Sequence, residues 1–151
     1  MLKFMEKLAK RAGDMALEER KHFSREEIHF KNPKDLVTDA DRKVERFIRA
    51  EIEAAYPDHA ILGEEGGSSN EGNSEYLWII DPIDGTTSFV HGSPMYSVSI
   101  GLHRNGKPYA GAIYQPRLNE LYSAILGGGA KCNGEPIHVS GRTELVRCLG
   151  I

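Results

Sequence analysis

Apolar side chains near the start of the chain recur every three or four positions, which is the spacing of one face of an α-helix. The pattern predicts an amphipathic helix over residues 2–20, with its apolar face turned toward a core. The positions that form this face are Met5, Leu8, Ala9, Ala12, Met15 and Ala16.

A second helical repeat begins after Thr38. Thr38 suits the N-cap position because Asp39 and Asp41 then fall in the first turn, where carboxylates complement the helix dipole. Residues 56–58 (Tyr-Pro-Asp) end the helix. Its buried stripe is predicted to consist of Val44, Phe47, Ile48, Ile52 and Ala55.

Shorter apolar segments in the first half of the chain predict strands. Residues 24–30 predict a short strand, and the turn-forming residues 32–35 predict a loop after it. Residues 60–63 and 76–80 are apolar runs of the length of buried strands. Between these two runs, residues 66–74 contain Gly, Ser and Asn without periodicity, which is typical of a surface loop.

The second half of the chain predicts an antiparallel meander. Asn105-Gly106 and Asn133-Gly134 are strong hairpin signals, because both residues of such a turn adopt positive φ. Two helices that precede a meander predict an α+β domain, with the helices packed on a mostly antiparallel sheet. The strand-like segments of the meander are residues 96–103, 109–114 and 121–126.

Composition and charge restrict the function classes. The chain has 151 residues, of which 40% are hydrophobic and 27% charged, as is typical of one soluble domain. A net charge of −3 without a Lys/Arg block argues against direct nucleic-acid binding. Cys132 and Cys148 are too few for a disulfide framework, so packing is their predicted role. Without a signal peptide or a membrane-spanning apolar run, a cytoplasmic protein that makes no membrane contact is expected.

Residues 81–87 (Asp-Pro-Ile-Asp-Gly-Thr-Thr) carry the clearest chemical signal. Asp81 and Asp84 follow a predicted buried strand, and two such carboxylates repel each other unless cations lie between them. The Gly-Thr-Thr segment behind them offers N–H and hydroxyl groups to an anion. Phosphoester hydrolysis requires this combination of metal and phosphate sites. The alternative is a structural turn, since Asp, Pro and Gly are common in turns.

Further acidic groups lie at the ends of predicted elements. Glu64 and Glu65 follow the strand at residues 60–63, and Asp41 lies in the first turn of the second helix. If that strand and the one at residues 76–80 are neighbours, their carboxyl ends meet in one crevice. A solvated loop for the glutamates and simple helix capping for Asp41 are the alternatives. Together, the three acidic clusters favour a site for a hard cation such as Mg²⁺, which prefers oxygen ligands.

Several segments of the chain resemble the inositol monophosphatase family of magnesium-dependent, lithium-sensitive phosphatases. The resemblance implies a fold that corresponds to the N-terminal half of the family's layered α-β-α-β-α architecture. It also implies hydrolysis of a small-molecule phosphate monoester by metal-activated water, and a homodimer. The segments are residues 35–41 (DLVTDAD), 56–59 (YPDH), 62–65 (LGEE), 78–92 (WIIDPIDGTTSFVHG) and 127–134 (GGGAKCNG).

The resemblance implies a set of metal ligands. Glu64, Asp81 and the backbone carbonyl of Ile83 would hold a first Mg²⁺. Asp81 and Asp84 would contribute to a second ion, and Glu64 to a third, more weakly held one. Ca²⁺ and Mn²⁺ are the alternative ions. Glu65 would support the position of Glu64.

The resemblance also implies catalytic and substrate-binding residues. Thr86, assisted by Asp41, would orient the water that attacks phosphorus. Gly85 and Thr86 would contact the phosphate through their N–H groups, whereas Asp84 would reach a hydroxyl of the substrate alcohol. The implied catalytic group is Asp41, Glu64 and Thr86. The implied substrate contacts are Asp84, Gly85, Thr86 and Thr87.

The expected reaction is the conversion of inositol phosphate and water to inositol and phosphate. Histidinol phosphate, fructose 1,6-bisphosphate or a nucleotide bisphosphate are alternative substrates, because one phosphate-handling core serves many alcohols. A non-catalytic interaction protein that retains the fold, for example one that docks onto transcription machinery, is an alternative of a different class. A plain Mg²⁺- or Ca²⁺-binding domain without chemistry is a third.

One family feature is missing from this sequence. The family carries a second signature, Trp-Asp, whose Asp completes the second metal site, but the only Trp here is Trp78. We therefore expect residues 1–151 to be an N-terminal α+β domain without the C-terminal α/β half. We also expect weak or no phosphatase activity, because one ion cannot stabilise both the attacking and the leaving oxygen. The apolar surface that the C-terminal half would cover is then exposed, and we expect it to favour self-association.

Overall fold

Two helices, α1 (Leu2–His22) and α2 (Asp39–Ala55), pack against each other and against one face of a β-sheet. The computed structural model describes residues 1–32, 35–70, 74–144 and 146. Its helices and its mostly antiparallel sheet confirm the predicted α+β class.

Helix α1 buries the face that its apolar spacing predicts, although Met15 is only half-buried. Gly13 is also buried, and a Cβ at this position would overlap the ring of Tyr114 in the sheet. The absence of a side chain at Gly13 therefore lets the helix approach the sheet closely. Within the described part of the chain, no helix has the length and apolar character needed to cross a membrane.

Helix α2 begins at the predicted N-cap, because Thr38 and Asp41 form a reciprocal capping box. The predicted buried stripe is wrong at two positions, since Phe47 is half-buried and Ala55 is exposed. Two acidic residues, Asp41 and Glu45, are buried on the same face instead. Their spacing from Ile48 matches the helical period, so the buried face begins with polar residues.

The strands form two sheets in the described residues. A short antiparallel ribbon pairs β1 (Ile28–Asn32) with β2 (Asp35–Thr38). The main sheet consists of β3 (Ala60–Gly63), β4 (Gly67–Ser69), β5 (Tyr76–Asp84), β6 (Ser97–Arg104), β7 (Lys107–Gln115), β8 (Glu120–Ile125), β9 (Gly129–Cys132) and β10 (Glu135–Ile137). Their order is β10-β9-β8-β7-β6-β5-β3-β4, and only β3 and β5 are parallel neighbours.

The meander is confirmed. The three strands predicted there correspond to β6, β7 and β8, with ends that differ by at most two residues. Both predicted hairpin turns are present, with φ of 49° and 75° at Asn105 and Gly106 and of 51° and 87° at Asn133 and Gly134. These positive φ values are those of the tight turn that joins twisted antiparallel strands.

Three local predictions need correction. The strand predicted at residues 24–30 begins later, because Arg25–Glu27 forms a 3₁₀ turn. The loop predicted at residues 66–74 contains strand β4, which pairs with β3. Strand β5 does not end before Asp81 but continues to Asp84. Residues 33, 34 and 71–73 of the two predicted loops, and Cys148, lie outside the described residues.

Candidate active site

Parallel pairing of β3 with β5 places Glu64 beside Asp81. Gly63 lies opposite Ile80 in the register, and the N–H of Glu64 donates to the Ile80 carbonyl over 3.1 Å. The next residue of each strand is therefore a carboxylate at the same edge. The sequence-based prediction that these two strand ends meet in one crevice is confirmed.

Asp81 is the electrostatic centre of this edge. Its Oδ1 is buried and has no hydrogen-bond partner among the described residues. Burial, reinforced by the charge and a hydrogen bond of Glu64 and by the charges of Asp84 and Asp41, raises the pKa of Asp81 to about 7. Glu64, Asp84 and Asp41, which come from three different parts of the fold, therefore act on Asp81, and a divalent cation would relieve the repulsion.

A bulge in β5 separates Asp81 from Asp84. Asp81 pairs with Ser99 and Asp84 with Ser97, so three steps along β5 match two steps along β6. The extra residue lets the Ile83 side chain enter the core while Asp84 remains exposed. Bulges commonly re-aim side chains next to functional sites.

Gly85 connects the strand to a short helix, α3 (Thr86–His91). Gly85 has φ 92° and ψ 41°, and a Cβ there would lie 2.8 Å from the carbonyl oxygen of Met95. Both the left-handed backbone and the close approach require glycine. The first N–H groups of α3 have no intrahelical acceptors, which leaves them for an anion.

The hydroxyl of Thr86 lies between two acceptors. It is 3.2 Å from Oδ1 of Asp41 and 3.1 Å from the carbonyl oxygen of Ile83. A hydroxyl carries one proton, so it donates to one of these acceptors at a time. Thr86 is therefore held at the junction of α2, β5 and α3.

Asp41 caps helix α2 and also contacts Thr86. Its Oδ2 accepts hydrogen bonds from the N–H of Thr38 at 2.7 Å and from the Thr38 hydroxyl at 2.5 Å, while Oδ1 faces Thr86. Burial raises the pKa of Asp41, and the hydrogen bonds from Thr38 and Thr86 oppose that shift. The helix cap thus fixes the carboxylate that meets Thr86.

Glu45 is a residue of this site that sequence reasoning missed. Its buried carboxylate accepts the N–H groups of Glu65 at 2.7 Å and Gly66 at 2.8 Å, and pairs with Arg49 at 2.8 Å. It therefore holds the turn that carries Glu64. The available signal was its spacing from Asp41 and Ile48, which puts a charge on the buried face of α2.

The predicted roles of all the site residues remain predictions, and for Thr87 and Glu65 the structure shows contacts of their backbone groups. Thr87 is exposed, and its carbonyl accepts from Nδ1 of His91 over 2.9 Å. The backbone N–H of Glu65 is bound by Glu45, as described above.

The predicted ligand set suits a hard cation, although it relies on few side chains. Among the described residues, no group of three His, Cys, Asp or Glu side chains is placed to hold a metal ion. The first-ion set implied by the family resemblance needs only Glu64, Asp81 and the Ile83 carbonyl, because Mg²⁺ keeps waters and takes oxygens from its substrate. The unpartnered Oδ1 of Asp81 fits this role.

A model of the inositol monophosphatase family matches residues 1–150. The chain belongs to the inositol monophosphatase family. Family membership supports a phosphatase-like hydrolase of a generally metal-dependent type.

Known proteins of the family extend this comparison. The chain is 46% identical over 120 residues to an inositol-1-monophosphatase of Mesorhizobium japonicum, covering 80% of this chain and 45% of that protein. It is 41% identical to a putative Nus factor SuhB of Neisseria meningitidis, covering 95% and 55%. The crystal structure of extragenic suppressor protein SuhB from Bartonella henselae superposes with a TM-score of 0.86 at 38% identity, covering 93% and 54%. The chain spans about half the length of the curated relatives it matches.

Proposed function

We propose that this chain carries the metal-binding and water-positioning residues of an enzyme that hydrolyses small-molecule phosphate monoesters. The observation that carries the proposal is the position of the Thr86 hydroxyl, 3.2 Å from Asp41 and 3.1 Å from the Ile83 carbonyl. Glu64 and Asp81 interact at the neighbouring ends of β3 and β5, and the charge of Asp41 also acts on Asp81. Membership of the inositol monophosphatase family supports the reaction class.

Glu64, Asp81 and the carbonyl of Ile83 would hold Mg²⁺, and Asp84 would share a further ion with Asp81. Mn²⁺ and Ca²⁺ suit the same oxygen donors. When bound there, the metal supplies positive charge that lowers the pKa of a nearby water and offsets charge on the departing oxygen. Glu45 supports this arrangement by holding the turn at Glu65 and Gly66.

Thr86 and Asp41 would position the attacking water. When the Thr86 hydroxyl donates to the Asp41 carboxylate, a charge-assisted bond forms and the lone pairs of Thr86 remain available. A water that donates one proton to Oγ1 of Thr86 then presents its own lone pair to the phosphorus atom. As the water loses that proton, Oδ1 of Asp41 can accept the proton of Thr86.

The start of α3 would hold the phosphate group. Gly85 is the N-cap of α3 and has a left-handed conformation, and the N–H groups of Thr86 and Thr87 lie in the first turn. Asp84 is exposed beside them and would accept a hydrogen bond from a hydroxyl of the alcohol.

Inositol monophosphate is the proposed substrate. The names of relatives such as the Mesorhizobium inositol-1-monophosphatase support it. Histidinol phosphate, fructose 1,6-bisphosphate and nucleotide bisphosphates remain alternatives, which a comparison of phosphate release from each compound separates.

Phosphate release from inositol 1-phosphate with Mg²⁺ tests the proposed function, at protein concentrations high enough to detect the weak activity expected of residues 1–151. Thr86→Ala is expected to lower the rate by about 100-fold or more, because it removes the group that orients the water. Thr143→Ala, at an exposed threonine outside the proposed site, is the control. Equal loss in both variants, or unchanged release in the Thr86 variant, would contradict the assigned role. Magnesium binding, measured by calorimetry, should survive in both variants.

A non-catalytic role as an interaction protein is the second candidate, favoured by the Nus factor name of the Neisseria relative. Asp84→Asn separates the two candidates. Hydrolysis depends on this carboxylate in the enzymatic proposal, whereas partner binding through the retained fold survives its loss.

We also propose that the protein forms a homodimer through the sheet face opposite the helices. Ala112 and Tyr114 of β7 are buried, so the intervening Ile113 points to the other face, where it is 45% exposed. It lies opposite Tyr122 and shares a cavity with Ile137. Light scattering should report a dimer that Ile113→Ser weakens, and a monodisperse monomer would contradict the proposal.

A further inference from the structure

A cavity of about 430 Å³ lies between the last turns of α1 and the segment that follows α3. Its volume falls within the range of about 300–1,000 Å³ that is common for small-molecule sites. Arg20 and Lys21 line it from α1, Ser93 and Tyr96 from the segment after α3, and Arg117 from the turn after β7.

Two buried polar atoms of this cavity have no hydrogen-bond partner in the described part of the chain. They are the hydroxyl of Tyr96 and Nε of Arg20. Tyr96 is 3% exposed, and its ring packs edge-on against Phe89 at a centroid distance of 5.2 Å. Because burying an unpaired polar group opposes folding, two such groups in one cavity indicate a place for an external partner.

The charges around the cavity favour an anion. Lys21 is paired with Glu18 at 2.7 Å, so the net contribution of this pair is small. The Arg20 guanidinium lies over the rings of Phe23 and Phe89, at 5.3 and 6.0 Å, which keeps the group in place without satisfying its N–H donors. Arg117 adds a second guanidinium, and Asp14 is the remaining acidic residue of the lining.

The Tyr96 hydroxyl lies within the field of both arginines. Burial raises the pKa of Tyr96, and the charges of Arg117 and Arg20 oppose this shift. The hydroxyl and the two guanidiniums therefore act on the same region of the cavity. A tetrahedral oxyanion presents several acceptor oxygens, and guanidinium groups match phosphate geometry especially well.

We propose that this cavity binds the phosphate group of a small molecule, with Tyr96, Arg20 and Arg117 as donors. The site is separate from the carboxylates of the candidate active site. Gly92, which lines the cavity, follows the C-terminal end of α3, whereas Thr86 begins that helix. The six residues of α3 place the two ends roughly 9 Å apart.

Titration of the ¹⁵N-labelled chain with inorganic phosphate tests the proposal by NMR. The titration is done in EDTA, because the metal-free carboxylates then repel phosphate from the candidate active site. Saturable shifts are expected at the amides of Gly92, Ser93 and Tyr96. Sodium chloride at equal ionic strength identifies effects of charge screening alone.

Two variants and one control complete the experiment. Tyr96→Phe and Arg117→Gln are each expected to weaken phosphate binding roughly tenfold or more, as for loss of a charge-assisted hydrogen bond. Arg46→Gln, an exposed arginine on α2, should leave the affinity unchanged. Since Arg117 is exposed, its variant keeps the test valid even if Tyr96→Phe folds poorly. Shifts that do not saturate, that chloride reproduces, or that persist equally in the Arg117 variant would overturn the proposal.

Discussion

The hydroxyl of Thr86 lies 3.2 Å from Oδ1 of Asp41, although the two residues are 45 positions apart in the chain. The other carboxylate oxygen of Asp41 closes the capping box at the start of α2. One side chain therefore both begins a helix and fixes the residue proposed to orient water. A substitution at Asp41 is expected to affect stability and chemistry together.

The first prediction concerns Asp41→Asn. An amide has one acceptor oxygen, so it cannot serve both Thr38 and Thr86 as the carboxylate does. Loss of buried hydrogen bonds should lower the free energy of unfolding by about 1–3 kcal/mol. Urea denaturation measures this change. Asp39→Asn, in the same turn but exposed, should change stability by no more than about 0.5 kcal/mol. Similar losses of stability in both variants would show that the hydrogen bonds of Asp41 stabilise the fold no more than an exposed carboxylate in the same turn does.

The second prediction concerns the pH dependence of stability in metal-free buffer. The pKa of Asp81 is raised to about 7 in the folded chain, mainly by burial, from an ordinary value of 3.8. The folded state therefore holds a proton that the unfolded state has released. The contribution of Asp81 to the free energy of unfolding is therefore fully present below pH 3.8 and is lost as the pH rises through about 7.

Urea denaturation in EDTA between pH 4 and 7 measures this dependence. Asp81→Asn cannot titrate and should flatten the decline of stability with rising pH. Glu53→Gln, at an exposed position, should keep the wild-type slope. If the Asp81 variant kept that slope as well, the raised pKa would be assigned to the wrong group.

The third prediction concerns Glu45→Gln. Removal of one partner of a buried ion pair should destabilise the chain by on the order of 3 kcal/mol, because Arg49 loses its counterion. The turn at Glu65 and Gly66 should loosen at the same time. Hydrogen exchange of these two amides measures the loosening, with Glu51→Gln, whose salt bridge to Arg11 is on the surface, as the control. Unchanged hydrogen exchange in the Glu45 variant would contradict the claim that Glu45 holds this turn in place.

The fourth prediction concerns His59, which accepts the N–H of Trp78 through Nδ1 at 3.0 Å. Burial lowers the pKa of His59. The unfolded state then binds the proton more readily, so the contribution of His59 to stability should fall as the pH decreases below the ordinary value of 6.5, with a sign opposite to that of the Asp81 contribution. His59→Asn should reduce that decline, whereas exposed His138→Gln should not. A decline of equal size in the His59 variant contradicts the assignment.

The sequence predicts most of what depends on neighbours along the chain. Apolar spacing locates α1 and α2, and Asn-Gly pairs locate the hairpins, because these features follow from local geometry. Strand β4 is not predictable in this way, since Gly67–Ser69 has no apolar pattern and forms only by pairing with β3.

The candidate site also has features that the sequence predicts and features that depend on residues far away in the chain. Asp81 and Asp84 are evident from their motif, but the bulge between them requires the partner strand β6. Glu45 is missed because its function depends on backbone N–H groups about 20 residues away, at Glu65 and Gly66. A buried charge in a helical stripe is the only local sign of such a role.

Paramagnetic broadening by Mn²⁺, used as a probe of the proposed Mg²⁺ site, tests the central claim most directly. Amide signals of Glu64, Asp81 and residues 83–87 should broaden selectively, excess Mg²⁺ should reverse the effect, and Asp81→Asn should abolish it. Broadening elsewhere in the chain, or selective broadening that persists in the Asp81 variant, would contradict the claim that these carboxylates share a divalent cation.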